Sequence, residues 1–227
     1  MMNKHSWMKS PEEDAAMQEE HLPYWQAMIK SMPEQDLTRM TILDFGCNQG
    51  GFLQLLFNLR PFKAAVGIDA VDSAIEIARK KCAGLPVEFK VDTSVGRFKA
   101  HFDLAFSHEV LYLLPDLSFH AREMFTALKT EGIYYASMGA HLENPLWPRW
   151  RRHLKHQANI PPQDYSLEDV VEAFISAGFE VEARRFRIEA FHPYNPETDK
   201  IYYPSLMAKL DYFDRDKILF RFVKRSK

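Results

Sequence analysis

The densest run of chemically capable residues in this 227-residue chain is Ile42-Leu43-Asp44-Phe45-Gly46-Cys47-Asn48-Gln49-Gly50-Gly51. An apolar strand ends there and a helix begins. Glycine suits the junction because a Cβ would block both the tight turn and the approach of a ligand to the backbone. Gly46, Asn48 and Gly51 fit a dinucleotide-type G-x-G-x-x-G with asparagine in the middle, and such a match alone is weak. Three acids add to it. Asp44 stands two residues before the first glycine, where a carboxylate can meet an ammonium group or a bound water. Asp69 closes the next apolar run, at about the ~20 residues past the loop from which an acid reaches ribose hydroxyls. Asp92, followed by Thr93, closes the third, placed to accept from the exocyclic amine of a base. A ligand with amino acid, ribose and adenine in a row fits these acids in order. Any single strand-end aspartate is commonplace, so the set carries the reading and not its members.

Ser107-His108-Glu109 offers acid–base chemistry near the same edge. His108 suits a general base, with Glu109 orienting it or binding an acceptor. In the plainer reading His108 only lines a pocket, and Glu109 belongs to a turn leading to Tyr112. His141 is a second candidate base, or else a loop histidine. The stretch from Leu146 to His156 interleaves Trp147 and Trp150 with Arg149, Arg151 and Arg152. It reads as a lid, as a grip on an anionic acceptor through Arg149 or Arg152, or as a nucleic-acid contact. Lysine plus arginine (29) nearly balance aspartate plus glutamate (31), so no whole-molecule field favours nucleic acid or an anionic surface, and the lid is preferred.

The elements that must position these residues alternate. Short apolar runs at Thr41 to Phe45, Ala64 to Ile68, Val87 to Val91, Phe102 to Phe106 and Ile133 to Ser137 read as strands covered on both faces. Helices are predicted at Gly51 to Asn58, Ser73 to Lys81 and Leu117 to Lys129, which implies right-handed βαβ units and a parallel sheet. Ser166 and Asp169 form a capping box for a helix that Gly178 stops, followed by strands at Phe179 to Phe186 and Lys217 to Val223. The expected division is a helical extension over 1–40 packed on a core domain over 41–227, with a lid-like insert at about 139–165. A second long connection, His192 to Asp216, also reads as a lid or binding loop. The two cysteines, Cys47 and Cys82, are far apart in sequence and give no zinc pattern, and no metal is expected. The leading residues are polar, with no signal-peptide core. No apolar run reaches the ~18–20 residues of a membrane helix, so the cytoplasm is the default compartment.

Asp-x-Gly-x-Asn-x-Gly after the first strand, an acid after the second and an aspartate after the third resemble the class I S-adenosylmethionine-dependent methyltransferases. Phe102 to Leu111 is similar to that family's fourth strand and the loop behind it. Leu128-Lys129-Thr130-Glu131-Gly132 resembles its L-K-P-G-G turn, and Tyr165 to Glu168 with Ala177-Gly178-Phe179 its late helix. The likeness covers roughly Thr41 to Phe186, with Asn48 in place of the middle glycine and Thr130-Glu131 in place of Pro-Gly. It implies an α/β fold: a three-layer Rossmann-like sandwich with a mainly parallel seven-stranded sheet, its last strand antiparallel. It further implies S-adenosyl-L-methionine as cofactor, held by Asp44, Gly46, Asn48, Gly50, Asp69, Asp92, Thr93 and Ser107. The implied reaction is methyl transfer to oxygen or nitrogen of a small molecule, an anionic one included, touched by Glu109, Tyr112, Trp147 and Arg149. The rival readings are an NAD-type oxidoreductase, for which no nicotinamide site or second catalytic element is found, and a non-catalytic binder of the same cofactor. The absence of Asn/Asp-Pro-Pro-Tyr/Phe after the fourth strand and of a Pro-Cys pair argues against adenine-N and cytosine-C5 methylation. The acceptor and the oligomeric state are not legible.

Overall fold

The computed structural model describes residues 11–157 and 160–226. The leading stretch Met1 to Ser10 lies outside the described residues, as do the side chains of Met17, Lys155 and His156.

Seven strands form one sheet in the order β3-β2-β1-β4-β5-β7-β6. Strands β1 (Leu37–Phe45), β2 (Phe62–Asp69), β3 (Val87–Val91), β4 (Phe102–His108) and β5 (Leu128–Met138) run parallel. Strand β7 (Ile218–Val223) is antiparallel to both β5 and β6 (Glu180–Arg185). The sheet separates two apolar layers. One packs Met28, Leu53, Leu56, Ile75 and Ala78, from helices α1 (Pro11–Ser31), α2 (Gly51–Leu59) and α3 (Asp72–Lys81), against Ile42, Leu104 and Phe106. The other packs Ala121, Met124, Val170 and Phe174, from α4 (Leu117–Ala127) and α6 (Leu167–Ala177), against Leu43, Ala105 and Phe222. Burial on both faces explains why β1, β2, β4 and β5 lack polar alternation. The edge strands β3, expected to be covered on both faces, and β6 instead leave most of their residues exposed or half-buried.

Several bounds differ from the sequence expectation. Strand β1 starts at Leu37 rather than Thr41, so the expected 40/41 boundary falls inside a strand. Leu37, 1% exposed, pairs with Phe62, and a bulge before Thr41 hides the period in the sequence. Strand β5 starts at Leu128, where the preceding helix was expected to continue. Leu128 is fully buried opposite Phe102, and Glu131, at φ 61°, breaks the register before Ile133. The capping box at Ser166 is present with both its hydrogen bonds, and Gly178 ends α6 at φ 107°. The 139–165 insert contains helix α5 (Trp147–Gln157). The second long connection holds α7 (Pro196–Asp199), α8 (Leu206–Asp211) and a π-helical turn, Tyr212–Asp216. Among the described residues no helix is long and apolar enough to cross a membrane.

Candidate active site

All the parallel strands deliver their C-terminal ends to one edge of the sheet, the edge at which open α/β folds bind ligands. A cavity of about 1440 Å³ opens there. Its wall takes the tips of β1, β2, β3 and β4, one side of α1, part of the insert and the connection before β7.

The first half of the cavity is built on backbone. Gly46 and Cys47 donate to Ile68 O at 2.8 and 3.0 Å, and Asn48 donates to Asp69 Oδ2 at 2.8 Å. Gly46 sits at φ 79°, and a Cβ there would lie 2.5 Å from Val110 Cγ2, so no other residue fits without a shift. Asn48 takes a left-handed φ of 46°, which asparagine tolerates better than most residues. Asp69 also accepts from Val71 N at 2.9 Å, so its carboxylate is fixed by the two segments it joins. Asp92 accepts from Thr93 N (2.8 Å) and Ser94 N (3.1 Å) and pairs with Arg97 at 2.7 Å. Glu123 reaches across from α4 and takes Val95 N, Gly96 N and the hydroxyl of Ser94.

Asp44 is different. It is 4% exposed, and its Oδ2 meets no hydrogen-bond partner among the described residues. Burial, reinforced by the nearby Asp69, pushes its carboxyl up to about 8. A buried carboxylate oxygen left unpaired is costly, and a cation in the adjoining cavity would relieve it.

The second half is aromatic. His108 shares a 2.6 Å hydrogen bond between Nδ1 and Ser137 Oγ, while its buried Nε2 has no hydrogen-bond partner among the described residues. Its ring lies 4.5 Å from His21 and 5.5 Å from Tyr24. Burial, then the charge of Lys217, holds it well below the ordinary histidine value, so it is neutral at pH 7. Glu109, strained at φ 57°, pairs with Lys217 Nζ at 3.0 Å and accepts from Gly139 N at 3.2 Å. Tyr24, Tyr203, Tyr212, Phe213 and Trp150 complete the wall. Ser107 also faces the cavity, bonded to Tyr134 at 2.6 Å, and Tyr134 in turn meets His120 at 3.2 Å.

The structure thus brings Asp44, Gly46, Asn48, Asp69, Asp92, Thr93, Ser107, His108, Glu109 and Tyr112 onto one cavity. Four residues read as site candidates lie off its wall. Gly50 faces Phe89 and Cys82, where its φ of 78° serves the turn into α2. His141 bridges Asp216 O (2.6 Å) and Glu143 (3.1 Å), fastening the insert to the start of β7. Trp147 is 1% exposed and bonds Asp164, packed behind Tyr112. Arg149 donates to the carbonyls of Lys200 and Ile201, so its guanidinium braces a loop instead of gripping an acceptor. The residues that sequence reading missed are Lys217, His21, Tyr203, Tyr212 and Phe213. No local motif marks them. Among the described residues no cluster of His, Cys, Asp or Glu could hold a metal ion.

Comparison with known proteins agrees with this architecture. A family described as a methyltransferase domain matches residues 37–178. Malonyl-[acyl-carrier protein] O-methyltransferase of Acetivibrio thermocellus is 28% identical over 130 residues, covering 55% of this chain and 46% of the relative. Trans-aconitate 2-methyltransferase of Rhodopseudomonas palustris is 26% identical over 106 residues, 46% of this chain and 40% of the relative. The matched stretch therefore spans less than half the length of either protein. Among solved structures, a chain of the complex between the Haloferax volcanii Trm112 methyltransferase activator and a methyltransferase superposes with TM-score 0.82 at 21% identity, over 94% of both chains. With the family matched over more than half of the chain, on a sheet of the order and direction the motifs imply, the protein belongs to the class I S-adenosylmethionine-dependent methyltransferases.

Proposed function

We propose that the chain transfers a methyl group to oxygen or nitrogen of a small molecule bound in the aromatic half of the cavity, with His108 facing the reacting atom. In this reading the unpaired oxygen of Asp44 takes the ammonium of the cofactor's methionyl part, Asp69 the ribose hydroxyls, and the Asp92–Thr93 tip the adenine. The cofactor would supply an electrophilic methyl on a sulfonium. The protein's part is then to hold the nucleophile in line and to exclude water, the terms that dominate such displacements.

One observation carries the assignment: His108 Nε2 and Asp44 Oδ2, both buried and without a hydrogen-bond partner among the described residues, border the same cavity. In the tautomer whose Nδ1–H donates to Ser137 Oγ, the neutral imidazole keeps its Nε2 lone pair to take a hydrogen bond, or a proton, from an acceptor O–H or N–H. Helix α1 contributes His21, Tyr24 and Trp25 to the wall, and α5 contributes Trp150 and Leu154, as a roof and a side would. Both curated relatives carry names in which the methylated compound is a small carboxylic acid or its carrier-bound form, which supports a small acceptor.

The test is turnover with methyl-labelled S-adenosylmethionine and a small-molecule extract. Label should enter a low-mass product. His108→Gln should lower that rate by roughly 10²–10⁴, the range for loss of a positioned general base, with affinity for S-adenosylhomocysteine unchanged. Undiminished turnover in the variant would remove His108 from the chemistry.

A further inference from the structure

The acceptor half holds two ion pairs, Lys209–Asp199 and the more deeply buried Lys217–Glu109. Lys217 is 2% exposed yet lines the cavity. Its Nζ lies 3.0 Å from Glu109 Oε1 and 3.5 Å from the centroid of the Tyr24 ring. Taking an ammonium out of water costs several kcal/mol, so its contacts must compensate. Glu109 is already committed, with Oε1 facing Lys217 and Oε2 accepting from Gly139 N. An ammonium carries three N–H donors. Among the described residues, one carboxylate and one aromatic face meet this one, which leaves donor capacity toward the cavity.

The surrounding polar groups lean the same way. The second lysine on the wall, Lys209, is tied to Pro193 O at 2.6 Å and Asp199 at 3.0 Å. The two carboxylates of this half, Glu109 and Asp199, each hold a lysine, and Glu20 lies exposed at the rim. Burial raises the hydroxyl of Tyr203, so it stays neutral and able to donate, while the Tyr212 hydroxyl donates to Tyr24. The chamber thus sets one partly used ammonium beside the Tyr203 hydroxyl and His108 Nε2, and among the described residues each of its two interior carboxylates faces a lysine. That is the complement of an oxygen-bearing monoanion. A phosphate dianion would call for several cations or a row of backbone N–H groups, which this wall lacks.

We propose that Lys217 binds a carboxylate of the methyl acceptor, and so selects small carboxylic acids over neutral or cationic molecules of the same shape. The proposal rests on the methyl-transfer reading of the cavity. The anion makes a charge-assisted hydrogen bond to the ammonium while Glu109 and the Tyr24 face hold that ammonium in place.

Benzoate, benzamide and benzylamine, alike in shape and different in charge, test it on the protein saturated with S-adenosylhomocysteine, with binding followed by ligand-observed NMR. Benzoate should bind at least about tenfold tighter than either analogue, a margin of about 1.4 kcal/mol. Lys217→Met should erase that margin and leave S-adenosylhomocysteine affinity within about twofold, and Lys217→Arg should keep part of the margin. The wild-type ranking needs no variant to fold. Equal affinity for benzoate and benzamide, no benzoate binding, or a preference that survives in Lys217→Met each overturns the proposal. Failure of S-adenosylhomocysteine itself to bind would sink the methyl-transfer reading instead, a separate result.

Discussion

The two halves of the cavity are made by different means. In the half proposed for the cofactor, Asp44, Asp69 and Asp92 sit at the tips of parallel strands, and Asp69 and Asp92 accept hydrogen bonds from backbone N–H groups within a few residues or on the adjoining loop. In the acceptor half, the wall comes from α1, β4, α5 and the connection before β7, and side chains hold side chains. The first half is rigid because the backbone is part of the ligand cradle. The second can change residue by residue without unmaking a turn. One shared device is strain. Asn48 and Glu109, two of the four non-glycine residues with positive φ, lie one in each half, where strained backbone commonly marks function.

Substitutions can break this contrast or sharpen it. The largest effect is expected at Gly46. Valine there combines a left-handed backbone with a Cβ 2.5 Å from Val110, a cost of about 3–5 kcal/mol. Gly46→Val should abolish S-adenosylhomocysteine binding by calorimetry and lower Tm. A variant with unchanged affinity would show that the loop is not the rigid half.

A smaller effect, in pH, follows from Asp44. Its folded-state value, about 8, lies above the ordinary 3.8, so the folded cofactor-free protein keeps a proton that the unfolded chain loses above pH ~4. This group therefore lowers stability progressively from pH ~4 to ~8, by up to about 1.4 kcal/mol per unit. An ammonium ligand needs the carboxylate, so affinity for S-adenosylhomocysteine should rise between pH 6 and 8 by up to about tenfold per unit and then level off. Asp44→Asn should flatten the curve. A flat wild-type curve in the same titrations would place the ammonium elsewhere.

The smallest effect belongs to Arg149, which touches only carbonyls outside the cavity. Arg149→Ala should cost about 1 kcal/mol, a Tm shift of roughly 2–4 °C, with turnover unaltered. A rise in acceptor KM alone would return Arg149 to the acceptor site.

The same contrast explains what could be read from residues in order. Asp44, Asp69 and Asp92 were visible because strand, turn and acid are written contiguously, and the fold follows from the alternation that places them. His108 was visible as the histidine just past a strand expected to end at Phe106, and β4 in fact runs on to include it. Tyr203 and Tyr212 were not, because the 192–216 connection carries no periodicity to say which side chains turn inward, and Lys217 read only as the first residue of the last strand. Arg149 and Trp147 misled for the opposite reason. Their types suggested recognition, while their hydrogen bonds go to Lys200, Ile201 and Asp164. Leu37 and Leu128 were missed as strand starts because an irregularity separates each from the regular ladder.

Strand β7 runs against its neighbours, and Met138 at the end of β5 lies opposite Ile218 at its start. A parallel strand can offer this edge only its outgoing residue, whose position is locked to the helix that follows. The reversed strand offers its incoming one. Lys217 therefore reaches the chamber at the end of the 192–216 connection and not from a strand tip that turns into a helix. Inverting one strand lets a long connection, which itself lines the chamber, deliver a lysine to the edge at which the parallel strands end.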